Sequence, residues 1–280
     1  MVGRSFLPTE QVRGVLGKIR ESVIGMSRSL KARPKAARTD RDGNQIDNEI
    51  LLHLPNDEWG ALLPNVEFVQ LKARHLLHET GQTIKSVYFI NSGLASILSV
   101  MSDGRSVEVG LIGKEGFVGL AVIAGFRRSS TRVVAQVDAT AFRLDADVLA
   151  ALFHHCPRLA HLLLRFSQAA AVQVTHLSAC NRLHKVDERL ARWLLMTQDR
   201  IGSKRLPLTQ DLLAQMLGTR RSSVTLAAGM LQRAGMITYA RGNVTVLNRH
   251  RLEGVACECY ELIRQHLEED LSSLRGGEQM

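Results

Sequence analysis

The stretch Leu208–Gly235, LTQDLLAQMLGTRRSSVTLAAGMLQRAG, admits few folds. Thr209 is placed to cap a helix running from about Gln210 to Leu217, with Asp211 in its electropositive first turn. Gly218 supplies the left-handed residue that ends it. A second helix is predicted to start near Thr219–Arg221 and run to about Ala234, where Gly235 stops it. Leu213, Leu217, Val224 and Ala227 would hold the two helices together, and small Ala214 permits close approach at the crossing. This is the spacing of a helix-turn-helix, which sets the side chains of its second helix into a DNA groove. Thr209, Gln210, Thr219, Arg220, Arg221, Ser222, Ser223 and Thr225 are then the expected DNA-facing residues.

A plain helical hairpin with solvated arginines would share this pattern, and charge separates the two. Residues 200–251 carry nine Lys/Arg against the single acid Asp211. Such a local net of +8 is an electrostatic footprint for phosphate. Directly after the hairpin, Met236–Ala240 and Val244–Leu247 are β-prone runs flanking Arg241-Gly242-Asn243, which predicts a β-hairpin and makes the whole a winged helix. Arg241 and Asn243 at the wing tip are placed either to touch phosphates or to serve as ordinary turn residues.

The remainder of the chain is charged differently. Residues 1–41 hold ten Lys/Arg and three acids, so within an overall net charge of +9 the middle of the chain is mildly acidic. Basic charge is therefore concentrated at two separate places. The first 48 residues, with Lys31–Arg38 as a basic centre, are expected to form a mobile tail with transient helix between Thr9 and Ile24. They lack the apolar core of a secretory signal. The longest apolar run, Phe117–Phe126, is far short of the roughly 20 residues a membrane span needs. Cys156, Cys180, Cys257 and Cys259 form no CxxC pair, which fits a reduced cytoplasm. Cys257 and Cys259 fall two apart on an expected helix, which would turn their thiols to different faces, so no metal site is expected.

From Glu67 to about Leu144, short β-runs alternate with turns at Asn91-Ser92-Gly93, Ser102-Asp103-Gly104 and Gly113–Gly116, which predicts an antiparallel sandwich or roll. Glu49–Leu54 and Pro55–Leu63 read as a short helical lead-in. Asp145 is placed to cap a helix to about His154, and a longer helix follows Pro157. On it Leu159, Leu163, Phe166, Ala170, Gln173, Leu177 and Cys180 alternate four and three apart, which suggests the seam of a parallel dimer with Gln173 fixing register, a core stripe within one chain being the alternative. Val186–Leu195 is a further amphipathic helix.

The order of β-roll, long helix and winged helix resembles the Crp/Fnr family of bacterial transcription regulators, most specifically in Val186–Leu195 and Leu208–Leu247. The resemblance implies an α+β chain: a basic extension (1–48), a cyclic-nucleotide-binding-like roll (49–156), a dimerisation helix (157–183), a winged helix (184–270) and a short tail (271–280). It also implies a cytoplasmic homodimer on double-stranded DNA, with RNA polymerase as a further partner. Arg221 falls where the family usually places a base-contacting arginine. Ser222 stands where many members have glutamate, and Leu226 where cyclic-AMP-type members have a second arginine. The family's nucleotide-binding segments correspond to Gly119-Leu120-Ala121 and Ser129-Ser130-Thr131. Leu120 replaces the ribose-binding carboxylate and the phosphate-binding arginine is missing, although Arg127, Arg128 and Arg132 lie nearby. Cyclic AMP is therefore disfavoured as effector. So are an iron–sulfur cluster, for want of N-terminal cysteines, and haem, for want of a diagnostic histidine pair. The competing class is a cupin-like metal-dependent enzyme on the roll, which would need His75 and His78 to find a carboxylate partner.

Overall fold

The computed structural model describes residues 38–276, so the expected mobility and transient helix of the first 37 residues lie outside the described residues. Among the described residues, Arg38 already packs ten positions before Asn48. The Arg38 guanidinium donates to Leu51 O (2.6 Å) and Leu54 O (2.9 Å) and stacks over the Trp59 ring at 5.5 Å. Asn48 caps α1 (Glu49–Leu52) by accepting from Leu51 N, while its amide donates to Ile90 O and Gly116 O. α2 (Asn56–Leu62) and a 3-10 turn (Leu63–Asn65) complete the lead-in.

The roll consists of β1 (Glu67–Leu71), β2 (Leu76–His78), β3 (Ser86–Ser92), β4 (Ala95–Val100), β5 (Ser106–Ile112), β6 (Phe117–Val118), the short α3 (Leu120–Ile123), β7 (Arg132–Ala135) and β8 (Ala139–Asp145). Two antiparallel sheets form, ordered β1-β8-β3-β6 and β2-β7-β4-β5. Their inner faces bury Val87, Phe89, Phe117, Phe142 and Leu144. The rings of Phe89 and Phe117 stack at 5.5 Å. Gly93 makes the β3–β4 turn at φ +80°, where a Cβ would fall 2.7 Å from Asp138 O.

Asp145 caps α4 (Ala146–His155), accepting from Asp147 N and Val148 N. Pro157 opens α5 (Pro157–Leu183), where its missing N–H costs nothing. The four-three stripe on α5 is a core stripe rather than a seam between subunits. Leu159, Leu163, Phe166, Gln173, Leu177 and Cys180 are buried within the chain. Gln173 fixes no dimer register: its Oε1 accepts from Leu111 N (2.7 Å) and its Nε2 donates to Leu111 O (3.1 Å), satisfying the open edge of β5. The opposite face of α5, including Leu164, Gln168, Ala171, Val174 and Ser178, is exposed.

The winged helix comprises α6 (Val186–Ile201), β9 (Arg205–Leu206), α7 (Gln210–Met216), α8 (Arg221–Arg233), β10 (Ile237–Ala240), β11 (Asn243–Val246), α9 (Arg249–Glu253) and α10 (Cys259–Gly276). β9 adds a third strand to the wing, a pairing its two residues could not announce in sequence. Trp193, Leu213, Leu217, Val224, Ala227 and Leu231 form one core with Leu94, Leu98, Leu111 and Val137 of the roll. Among the described residues, no helix is long and apolar enough to cross a membrane.

Candidate nucleic-acid interface and effector cavity

Thr209 accepts from Leu212 N at 3.2 Å, and α7 ends at Met216, with Leu217 as its C-cap directly before Gly218. Gly218 has φ +56°, and a Cβ there would lie 2.9 Å from Val107 Cγ2 of β5. The glycine is thus required twice, by the turn and by the docking of that turn on the roll. α8 begins at Arg221 and presents Arg220, Arg221, Ser222, Thr225 and Leu226 to solvent, with Thr219 and Ser223 half-buried. Thr225 Oγ1 donates to Gln210 Oε1 at 3.0 Å, and Arg221 lies 3.4 Å from Asp211. Both partners of that ion pair are well exposed, so it holds the guanidinium weakly and leaves it available. The structure therefore gathers Gln210, Arg221, Ser222 and Thr225 about the start of α8, where free N–H groups and the helix dipole favour anions. Leu226 (71% exposed) and Met230 (45%) continue one turn apart along the same helix. Leu226 was expected on the DNA-facing side from the resemblance, whereas the exposure of Met230 had no signal in the sequence, because a methionine in a helical stripe ordinarily reads as core.

The wing turn is shorter than expected. Arg241 and Gly242 alone form it, both at positive φ (50° and 74°), as a two-residue hairpin demands. Asn243 is the first residue of β11, its Oδ1 accepting from Arg205 Nε at 3.3 Å. Arg241 remains exposed at the tip.

In the roll, Gly119-Leu120-Ala121 and Ser129-Ser130-Thr131 do come together, lining a cavity of about 200 Å³ with Ile112, Phe117 and Val133. Gly119, at φ +135°, would drive a Cβ to within 2.4 Å of Val87 Cγ1. The three neighbouring arginines are all engaged elsewhere. Arg127 pairs with Asp147, Arg132 Nε donates to both Glu79 oxygens at 3.0 Å, and Arg128 donates to Gly81 O. Ser129 Oγ donates to Thr131 O. His78, also at the cavity, meets Ser86 O through Nε2 at 2.7 Å, and burial pushes its pKa below the ordinary imidazole value despite that bond. His75 is exposed. The cavity wall is consequently largely apolar, with hydroxyls as its main polar groups.

A cyclic nucleotide-binding domain model matches residues 68–156, and a Crp-like helix-turn-helix domain model matches residues 188–255. The chain belongs to the Crp/Fnr family. It is 25% identical over 201 residues, 69% of its own length and 89% of the relative's, to a CRP-like cAMP-activated global transcriptional regulator of Mycobacterium tuberculosis. In fold it is similar to a Crp/Fnr-family transcriptional regulator of Eubacterium rectale (TM-score 0.60, 19% identity, 72% of this chain and 94% of that one). FixK2 of Bradyrhizobium japonicum is alike at the same TM-score, with 16% identity over 69% of this chain and 98% of that one. The c-di-GMP-responsive regulator CLP of Xanthomonas campestris follows at TM-score 0.59, with 17% identity over 69% and 99%. This Crp/Fnr chain is thus a DNA-binding transcription regulator of helix-turn-helix type.

What the sequence left invisible in this Crp/Fnr chain is the junction between its two modules. Glu108 on β5 is wholly buried, accepting from Ser96 Oγ (2.6 Å) and from Trp193 Nε1 of α6 (2.7 Å). Glu115 pairs with Arg200 at 2.7 Å, both side chains only 6% exposed. Gln215 of α7 donates to Ser106 Oγ at 2.7 Å. Each pairing across the junction, to Trp193, Arg200 or Gln215, spans more than eighty residues, so no local pattern foretells it.

Proposed function

We propose that this protein is a homodimeric, site-specific transcription regulator whose α8 enters the DNA major groove, and whose roll responds to a small effector other than cyclic AMP. The observation that carries the reading is the exposed start of α8, with Arg220, Arg221, Ser222, Ser223 and Thr225 beside Thr209, Gln210 and Thr219. Arg221 reads a guanine edge, a bidentate contact worth about 1–3 kcal/mol of discrimination. Arg241 reaches a backbone phosphate from the wing, while Asn243 steadies Arg205 beside it. Dimerisation uses the exposed face of α5, along Leu164, Ala171 and Val174, and sets two α8 helices about 34 Å apart on a near-palindromic site. RNA polymerase is the downstream partner of such a bound dimer.

For the effector, Gly119, Leu120, Ser129, Ser130 and Thr131 are the binding residues. With Leu120 in place of a carboxylate and every nearby arginine engaged, the cavity suits a compact, weakly polar molecule rather than a cyclic phosphate. The cAMP-activation of the mycobacterial relative is accordingly not carried over.

Selection of bound DNA from a random pool tests the reading directly. The full chain should enrich a two-fold symmetric site, and Arg221→Ala should relax preference at one base pair per half-site with a roughly tenfold loss of affinity. Unchanged affinity and preference in that variant would remove Arg221 from its role, and no enrichment at all would remove the reading itself.

A further inference from the structure

Three of the four cysteines meet one histidine where α5 hands over to α6. Cys180 lies in the last turn of α5, and His184 is the residue that closes that helix. Cys257 lies in the loop after α9, and Cys259 opens α10. Because Cys257 precedes the helix instead of sitting on it, the two neighbouring thiols converge, contrary to the expectation from their spacing. The four potential ligand atoms all lie within 4.8 Å of one another. Cys180 Sγ is 3.4 Å from Cys257 Sγ, and Cys259 Sγ is 3.7 Å from His184 Nδ1.

These separations select among possible occupants. A tetrahedral ion holding thiolates at about 2.3 Å spaces its ligand atoms at about 3.8 Å. A multinuclear iron–sulfur cluster interposes iron and sulfide and keeps its cysteines further apart. The histidine also has a partner outside the thiols: its Nε2 lies 3.1 Å from Glu258 Oε2, so a neutral ring would carry its proton on Nε2 and turn its Nδ1 lone pair to the cluster. A carboxylate behind a histidine in this way is the usual support for a metal-ligating imidazole. Charge points the same way. Arg192 and Arg189 are buried, each with an Nε lacking a hydrogen-bond partner, and their charges act on the Cys180 sulfur. Three thiolates and a neutral imidazole on a divalent ion carry a net charge of about −1, which those guanidiniums would balance.

We propose that Cys180, Cys257 and Cys259 through Sγ, and His184 through Nδ1, bind a single tetrahedral zinc ion that fastens α10 to the α5–α6 junction. The closed set of four protein ligands leaves no open position for substrate, so the ion is structural. Binding releases three thiol protons to solvent and leaves the oxidation state of every atom unchanged. The site places the ion between the C-terminal helix and the start of the winged helix, so its loss should loosen the DNA-binding module as well as α10.

The test uses the full chain purified with reductant and supplied with zinc alone. Elemental analysis should find one zinc per chain. Replacement by cobalt should give the visible bands of a tetrahedral ion together with thiolate-to-cobalt charge transfer. Glu258→Ala should lower zinc affinity by about 10–100-fold while keeping the same cobalt spectrum. Cys259→Ser should weaken the charge-transfer band, and should that variant fail to fold, the wild-type cobalt spectrum decides alone. Substoichiometric zinc with all four thiols titratable would overturn the proposal, as would a Cys180–Cys257 disulfide in protein handled without oxidant. Zinc content does not depend on DNA recognition, so a failure of the proposed regulator role would leave this result standing.

Discussion

Glu108 puts a carboxyl group where water cannot help it. Burial pushes its carboxyl up to about 7, against the opposing pull of Ser96, Trp193, Arg192 and Arg200. Because the folded value lies above the ordinary 4.5, the folded state binds the proton more tightly than the unfolded chain does. Its contribution is fully present below about pH 4.5 and is lost as pH rises through 7. At roughly 1.4 kcal/mol per pK unit, the amount at stake is on the order of 3 kcal/mol. Unfolding midpoints measured from pH 4.5 to 7.5 should therefore fall in the wild type relative to Glu108→Gln, the difference closing at the acid end. Parallel curves for the two proteins would show that Glu108 stays ionised. This residue marks the limit of reading a chain locally. Arg221 and Thr209 were legible because a cap, a turn glycine and a helical stripe lie within a few residues of them. Glu108 sits in an ordinary strand, and its meaning comes from a tryptophan 85 positions away.

At the scale of elements, periodicity told which face of α5 is covered without telling what covers it. A four-three repeat is the same signal whether the partner is a second subunit or the edge of one's own sheet. The deciding fact is the open edge of β5, whose Leu111 N–H and C=O take Gln173 as a short surrogate strand. Two substitutions separate the roles of the two faces. Gln173→Ala strands a buried donor and acceptor and should cost about 1–3 kcal/mol per group in chemical unfolding, while leaving the sedimentation mass unchanged. Leu164→Glu, on the exposed face, should instead shift sedimentation from dimer towards monomer at little cost to the fold of each chain. If Gln173→Ala dissociates the dimer, or Leu164→Glu does not, the proposed interface is on the wrong side. The two helices of the hairpin were legible to within two residues at each end, since those ends are set by local chemistry at Thr209, Gly218 and Gly235. The extra strand β9 was not, because two residues acquire strand character only from the neighbour they pair with.

At the scale of the whole molecule, one strand touches everything. Along β5, Ser106 takes the hydrogen bond from Gln215, Val107 meets the turn at Gly218, Glu108 holds Trp193, Leu111 holds Gln173, and Ile112 borders the cavity. Those seven residues, about 20 Å of backbone, link the cavity wall to the helix-turn-helix. On the proposed function the two ends of such a rod are coupled, and thermodynamic linkage makes the traffic symmetric. Whatever factor an effector applies to DNA affinity, operator DNA must apply to effector affinity. Calorimetric titration of one ligand with and without the other should return equal ratios in both directions. An effector whose influence on DNA binding survives blocking of the cavity at Ile112 would have to act somewhere else. The regulator's own target is, on this account, one of its allosteric ligands.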